Sequence, residues 1–156
     1  MGTGSGQSRF TSLKPTQWLW KLSDAARQYR QNRVLNPDAA LGRRGEDLAH
    51  RYLQRAGFKV IARNYRPAGG ENEVDIIARD DDILVFVEVK SRSSAEYGSP
   101  DRAIGVEKQK HIAIAARSYA TRAGVEWSQV RFDTIAIVFS KPPSVVHQRD
   151  AFFDRR

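Results

Sequence analysis

Three residues of this 156-residue chain have the types and the spacing for metal-assisted phosphate chemistry: Asp75, Glu88 and Lys90. They stand in EVDIIARDDDILVFVEVK, residues 73–90, which reads as two β-strands joined by an acidic turn. Alternation puts Asp75 on one face of the first strand with Glu73 and Ile77. On the second strand Glu88 and Lys90 share a face with Leu84 and Phe86, while Val85, Val87 and Val89 point the other way. A two-residue Asp81-Asp82 loop sets Asp80 opposite Ile83 and hence Asp75 opposite Glu88. Directly opposed Cβ atoms lie about 4.5–5.5 Å apart, and like charges that close destabilise the pair. A hard divalent cation with oxygen ligands, Mg²⁺ or Mn²⁺, would offset the repulsion. Lys90 follows about 6–7 Å further along the same face. Its ammonium can orient or help deprotonate a water, or stabilise charge on a phosphate. The implied reaction is phosphodiester hydrolysis, with the metal polarising the phosphate and lowering the pKa of the attacking water. A blander reading makes Asp75 an edge residue and Glu88–Lys90 a surface ion pair. A one-residue shift of register would also undo the opposition.

The elements that must position these residues follow from periodicity. Residues 41–56, LGRRGEDLAHRYLQRA, form a helix closed by Gly57, with an apolar stripe of Leu48, Ala49, Tyr52, Leu53 and Ala56. Glu46 lies along that stripe rather than opposite it. If the helix covers the face of Asp75, Glu46 becomes a further metal ligand through water. Otherwise it is a first-turn acid favoured by the helix dipole. Phe58 to Tyr65 reads as a strand in which Phe58, Val60 and Ala62 alternate with Lys59 and Arg63. Residues 66–70 and 91–105 read as loops. Glu107 to Thr121 is a second helix with Ile112, Ala115, Ala116 and Tyr119 on its apolar face, closed by Gly124. Val130 to Phe139 is an apolar strand, Val145-Val146 a short one, and residues 151–153 a terminal cap. The order helix, three strands, helix, strand predicts an α/β sandwich: a central mixed β-sheet flanked by helices.

Charge and composition narrow the partners. The net charge of +8 and pI near 10.1 point to a polyanion. Residues 1–40 carry six basic residues against Asp24 and Asp38, and so hold half of that excess. They read as a basic extension ahead of a domain spanning 41–156, with Asn36-Pro37-Asp38 as the break. Met1 to Thr16 is rich in Gly, Ser and Thr and is expected to be disordered. Residues 17–32 fit an amphipathic helix, with Trp18, Leu22, Ala25, Ala26 and Tyr29 at helical spacing. A basic helix of this kind binds nucleic acid, lies on an anionic membrane surface, or docks on its own domain. The plainest role for the extension is a solubilising tail. No apolar run reaches the ~20 residues of a membrane span. The chain opens with no apolar signal segment, and it has no cysteine, so disulfides and thiolate metal sites are excluded. A cytoplasmic location is expected.

The elements GRRGEDLAHRYL, EVDIIARDDDILVFVEVKSR, AIGVEKQKHIAIAARSYA and VRFDTIAIV together resemble the YraN family of bacterial proteins, within the restriction-endonuclease-like PD-(D/E)XK nuclease superfamily. The resemblance covers residues 42–139. It implies a restriction-endonuclease-like fold in which Asp75, Glu88 and Lys90 match the metal-binding and catalytic positions. Glu46 matches the first-helix glutamate of archaeal Holliday-junction-resolvase-like members. Lys108 and Gln109 match a Lys-Gln pair that opens the second helix and can approach phosphate; surface polarity at a helix start is the alternative. Val74 stands where the superfamily's name has proline.

The combined expectation is a Mg²⁺- or Mn²⁺-dependent endonuclease-like protein acting on DNA, on branched or damaged structures in particular. Asp75, Glu88 and Glu46 would form the metal shell. Lys108, Gln109, Lys110, Arg43 and Arg44 would contact the nucleic acid. Two-fold substrates such as junctions favour a homodimer by symmetry. A non-catalytic nucleic-acid-binding protein that keeps the fold is the alternative. A third reading is recruitment to a membrane surface or a partner by the N-terminal helix.

Overall fold

The computed structural model describes residues 36–68, 70, 72–93 and 104–152. The expected disorder of residues 1–16, the helix at 17–32 and most of the 91–105 loop lie outside these residues. The first helix, α1, spans Pro37–Arg55. It begins at Pro37 rather than at residue 41, so the Asn36-Pro37-Asp38 stretch starts a helix instead of only breaking the chain. Proline suits a first helical turn, where its missing N–H has no intrahelical partner to lose, and Asp38 complements the helix dipole.

Five strands follow: β1 Lys59–Tyr65, β2 Val74–Asp80, β3 Ile83–Arg92, β4 Val130–Val138 and β5 Ser144–Gln148. Helix α2, Val106–Ala123, lies between β3 and β4. The sheet is mixed, with its strands side by side in chain order. Every pairing is antiparallel except β3 with β4. A parallel pair needs a long crossover, and α2 supplies it. Both helices stop the same way. Gly57 and Gly124 adopt left-handed backbone, at φ +90° and +65°. Phe58 N–H then donates to Leu53 O, and Val125 N–H to Ala120 O, closing two Schellman motifs.

The period-2 pattern of the strands feeds two cores. On one face Leu84, Phe86, Ile77 and Phe132 pack against Ile112, Ala115 and Ala116 of α2. Phe152 stacks on Phe132 at 5.0 Å, so the described part of the expected cap closes this core. On the other face Val85, Val87, Ile135 and Ile137 pack against Ala49 and Leu53 of α1. Each large side chain fully buried in this way contributes about 1.5–3 kcal/mol. Gly45 allows α1 to come close: a Cβ there would stand 1.6 Å from Ser91 Oγ on β3.

Strand β1 departs from simple alternation. The β1–β2 register shifts between Val60 and Ala62, and Ile61 is left exposed. Phe58 and Val60 therefore join the α1 core, whereas Ala62 packs with the α2 core. Such a bulge re-aims every side chain after it. Arg63 and Asn64 (the latter at φ +50°) are the residues it redirects.

Asp133 of β4 is fully buried in the apolar run VRFDTIAIV, and every contact around it is complementary. Arg131 forks onto both its oxygens at 2.8 and 2.9 Å, His147 reaches Oδ2 at 2.9 Å, and the Asp150 N–H donates to Oδ1 at 3.0 Å. Arg131 also bridges to Asp80 at 2.8 Å, and Arg149 joins the same carboxylate. The network ties β4, β5 and the C-terminal turn to the end of β2. Removing one partner of a buried ion pair strands the others in low dielectric. Asp133→Ala is therefore expected to lower the unfolding free energy by ~3–5 kcal/mol, read from denaturant midpoints. Stability close to that of the wild type would show that the network contributes nothing.

Candidate active site

The hairpin register comes out as the two-residue loop requires. Ile76 pairs with Val87, Ile77 with Phe86 and Asp80 with Ile83, around the turn Asp81-Asp82. Asp81 takes a left-handed φ of +51°, which aspartate tolerates better than most residues. The ladder ends at the Ile76–Val87 pair, and just beyond it the Asp75 and Glu88 carboxyls stand side by side, within hydrogen-bonding reach of each other. Both carboxylates lie at the end of the hairpin away from the turn, and Glu88 faces Lys108 of α2.

Each carboxylate has a different environment. Asp75 Oδ2 accepts the Val89 N–H at 2.7 Å. Even so, its pKa is pushed up to about 8, first by desolvation and then by the negative charge of Glu88 beside it. Glu88 is only 12% exposed, and burial raises its pKa too, against the pull of the Lys108 and Lys90 ammoniums. Lys108 Nζ stands 3.2 Å from Glu88 Oε2. That oxygen is buried, and Lys108 meets it as an ion pair. Lys90, on the same face as Glu88, has its pKa lowered by partial desolvation.

The arrangement fits a hard divalent cation. Mg²⁺ is usually held by one or two carboxylates, with water and substrate phosphate completing its octahedron. Asp75 and Glu88 provide that pair, and Glu88 Oε2 has coordination capacity in hand. Among the described residues no group of three or more His, Asp or Glu side chains stands at metal-binding spacing.

Glu46 approaches the pair from α1. Helix α1 lies on the face of the sheet opposite Glu88, because Ala49 and Leu53 pack on Val85 and Val87. The Glu46 carboxylate is 15% exposed and is held by Asn64 Nδ2 at 3.0 Å and Arg63 at 3.4 Å. Its charge still reaches Asp75, as the weakest of the named influences there. The partners Asn64 and Arg63 depend on the β1 bulge, and nothing in the sequence signals that irregularity.

The remaining residues divide between local duties and other surfaces. Gln109 donates from Nε2 to Ile104 O at 2.7 Å and so anchors the start of α2. Lys110 pairs with Glu107 on the exposed side of that helix at 3.0 Å. Arg43 and Arg44 ride on α1, away from the α2 side. Arg44 stacks over the Phe139 ring at 4.8 Å. The structure thus gathers Asp75, Glu88, Lys90 and Lys108, and leaves Arg43, Arg44 and Lys110 outside the group.

A family model described as "Uncharacterised protein family UPF0102" matches residues 45–137. A UPF0102 protein of Solibacter usitatus is 47% identical over 111 residues, covering 71% of this chain and 84% of that protein. The chain belongs to the UPF0102 family. Its UPF0102 relative from Rhodococcus jostii is 48% identical over 115 residues, covering 72% of this chain and 96% of the relative. One from Geobacter sulfurreducens is 49% identical over 114 residues, covering 72% and 88%. The UPF0102 match takes in Glu46, Asp75, Glu88, Lys90 and Lys108, whereas β5 and Arg149 lie beyond it. Among the described residues of this UPF0102 protein, no helix is long and apolar enough to cross a membrane.

The raised carboxyl pKa has a consequence for stability. A carboxyl whose pKa is higher folded than unfolded favours the fold at low pH, and that contribution is lost as pH rises through the folded value. For Asp75 the window runs from about 3.8 to about 8. With chelator present, wild type is expected to lose thermal stability relative to Asp75→Asn across that window. Parallel melting curves from pH 4 to 9 would show the difference, and identical pH profiles would refute it.

Proposed function

We propose that this UPF0102 protein is a Mg²⁺- or Mn²⁺-dependent endonuclease acting on DNA phosphodiesters, with branched or damaged DNA as the preferred substrate class. The observation that carries the reading is the buried, opposed pair Asp75 and Glu88 beside two ammoniums. Asp75 and Glu88 would hold the cation. When bound, such a cation polarises the phosphate and acidifies the attacking water. Lys90, with its lowered pKa, exchanges a proton with that water at Nζ or holds the phosphate oxygen as charge grows on it. Glu46, fixed by Asn64 and Arg63, adds negative charge from the α1 side and supports the metal shell through water. The +8 net charge supplies the long-range attraction for the DNA backbone, so binding weakens with salt.

Purified protein should cleave duplex, single-stranded or branched DNA in Mg²⁺ or Mn²⁺, and Asp75→Ala should reduce the rate by on the order of 10²-fold or more. The absence of any cleavage sensitive to Asp75→Ala would refute the assignment.

One observation favours a non-catalytic nucleic-acid-binding role instead. Lys108 already neutralises Glu88, and no third carboxylate joins the pair among the described residues. In that case Glu88→Ala should leave DNA affinity unchanged or raise it in chelator, as measured by fluorescence anisotropy, and no metal should bind. Under the nuclease reading the same variant loses its metal-dependent affinity.

A further inference from the structure

Lys108 occupies an unusual position for a lysine of a helix surface. Its side chain is 40% exposed, yet its ammonium turns inward to Glu88 Oε2, on a carboxylate that is only 12% exposed. The base of the side chain is fixed. Gln109 clamps Ile104 O with its side chain and donates its backbone N–H to Gly105 O, which holds the first turn of α2 in place. The end of the side chain is not fixed in the same way. It reaches Glu88 through a single ion pair at 3.2 Å from a 40% exposed side chain, and a lysine stem is a flexible four-carbon tether. The positive charge therefore sits where the opposed carboxylates need one, on a carrier that can leave.

A divalent cation bound by these carboxylates would stand about 2.1 Å from their oxygens. An ammonium 3.2 Å from Glu88 Oε2 cannot stay beside it without strong like-charge repulsion. We propose that Lys108 is the resident counter-ion of the Asp75–Glu88 pair, that a divalent cation displaces it, and that the released ammonium then takes a phosphate of the nucleic acid. The proposal rests on the reading of the pair as a metal site. It makes metal binding and phosphate binding successive uses of one charge. Without metal the ammonium is spent on Glu88. With metal it becomes available at the surface, one turn into a helix whose start faces the site. The lysine also weakens metal binding, because the cation must first expel it.

Calorimetry of Mn²⁺ binding to the full chain tests the exchange, with Asp75→Ala as the site control. Lys108→Met is expected to bind Mn²⁺ about tenfold more tightly than wild type, the equivalent of one modest charge interaction. A second measurement needs no variant. Acetylation of individual lysines, followed by mass spectrometry, should show Lys108 labelling several-fold faster with saturating Mn²⁺ and slowing again when duplex DNA is added. Lys110, paired with Glu107 on the outer side of the helix, should show no Mn²⁺ response. Equal Mn²⁺ binding by wild type and Asp75→Ala would overturn both the proposal and the metal-site reading. Asp75-dependent binding that Lys108→Met fails to tighten, or Lys108 labelling indifferent to Mn²⁺, would overturn the proposal alone.

Discussion

Two carboxylates held face to face across a poorly hydrated hairpin resist being ionised together, and the site is arranged around that conflict. Each neighbouring group relieves part of it. The Val89 N–H stabilises charge on Asp75, the ammonium of Lys108 stabilises charge on Glu88, and a proton on Asp75 removes the rest below about pH 8. None of these responses is final. A proton leaves with rising pH, and a lysine can swing away. The opposite face of the sheet deals with a buried acid in the opposite manner. Asp133 is met by an arginine fork, a histidine and a backbone N–H, all at hydrogen-bond distance. Burial there holds the β4–β5 end of the sheet together. At Asp75 and Glu88 burial leaves an unsatisfied demand for positive charge, which is a chemical resource.

How much of this was legible in the chain depended on the range of the interaction. The hairpin was readable because strand side chains repeat every second residue and a two-residue loop admits one register. The helix ends at Gly57 and Gly124 were readable for the same reason: the signal and the structure occupy the same few residues. The start of α1 was misjudged because proline both breaks helices and begins them, and the apolar stripe that marks the helix starts later. The placement of Glu46 was less accessible. It depends on which face α1 covers, and the stripe of Leu48, Ala49, Tyr52 and Leu53 fits either face of a sheet that is apolar on both. Its partners depend on the bulge at Ile61, which carries no glycine to announce it. Lys108 stands out through the resemblance, as half of a Lys-Gln pair, but its contact with Glu88 is set by where the crossover delivers α2, a long-range matter. Asp133 reads in the sequence only as part of an apolar strand, because the partners that satisfy it come from β4, β5 and the turn at Asp150.

The turn Asp81-Asp82 is exposed and begins six residues from Asp75, about 20 Å away by strand rise. It touches nothing in the site, yet it sets the reading frame in which Asp75 and Glu88 meet. Substitutions that keep a two-residue loop leave the frame intact. A single inserted residue must either bulge out harmlessly or shift β3 against β2, and a shift would turn Glu88 away while moving the valines of the α1 core toward α2. Catalytic geometry and core packing are therefore encoded in one phase. Any drift that spoils the first also spoils the second, so a folded hairpin carries the neighbouring carboxyls with it.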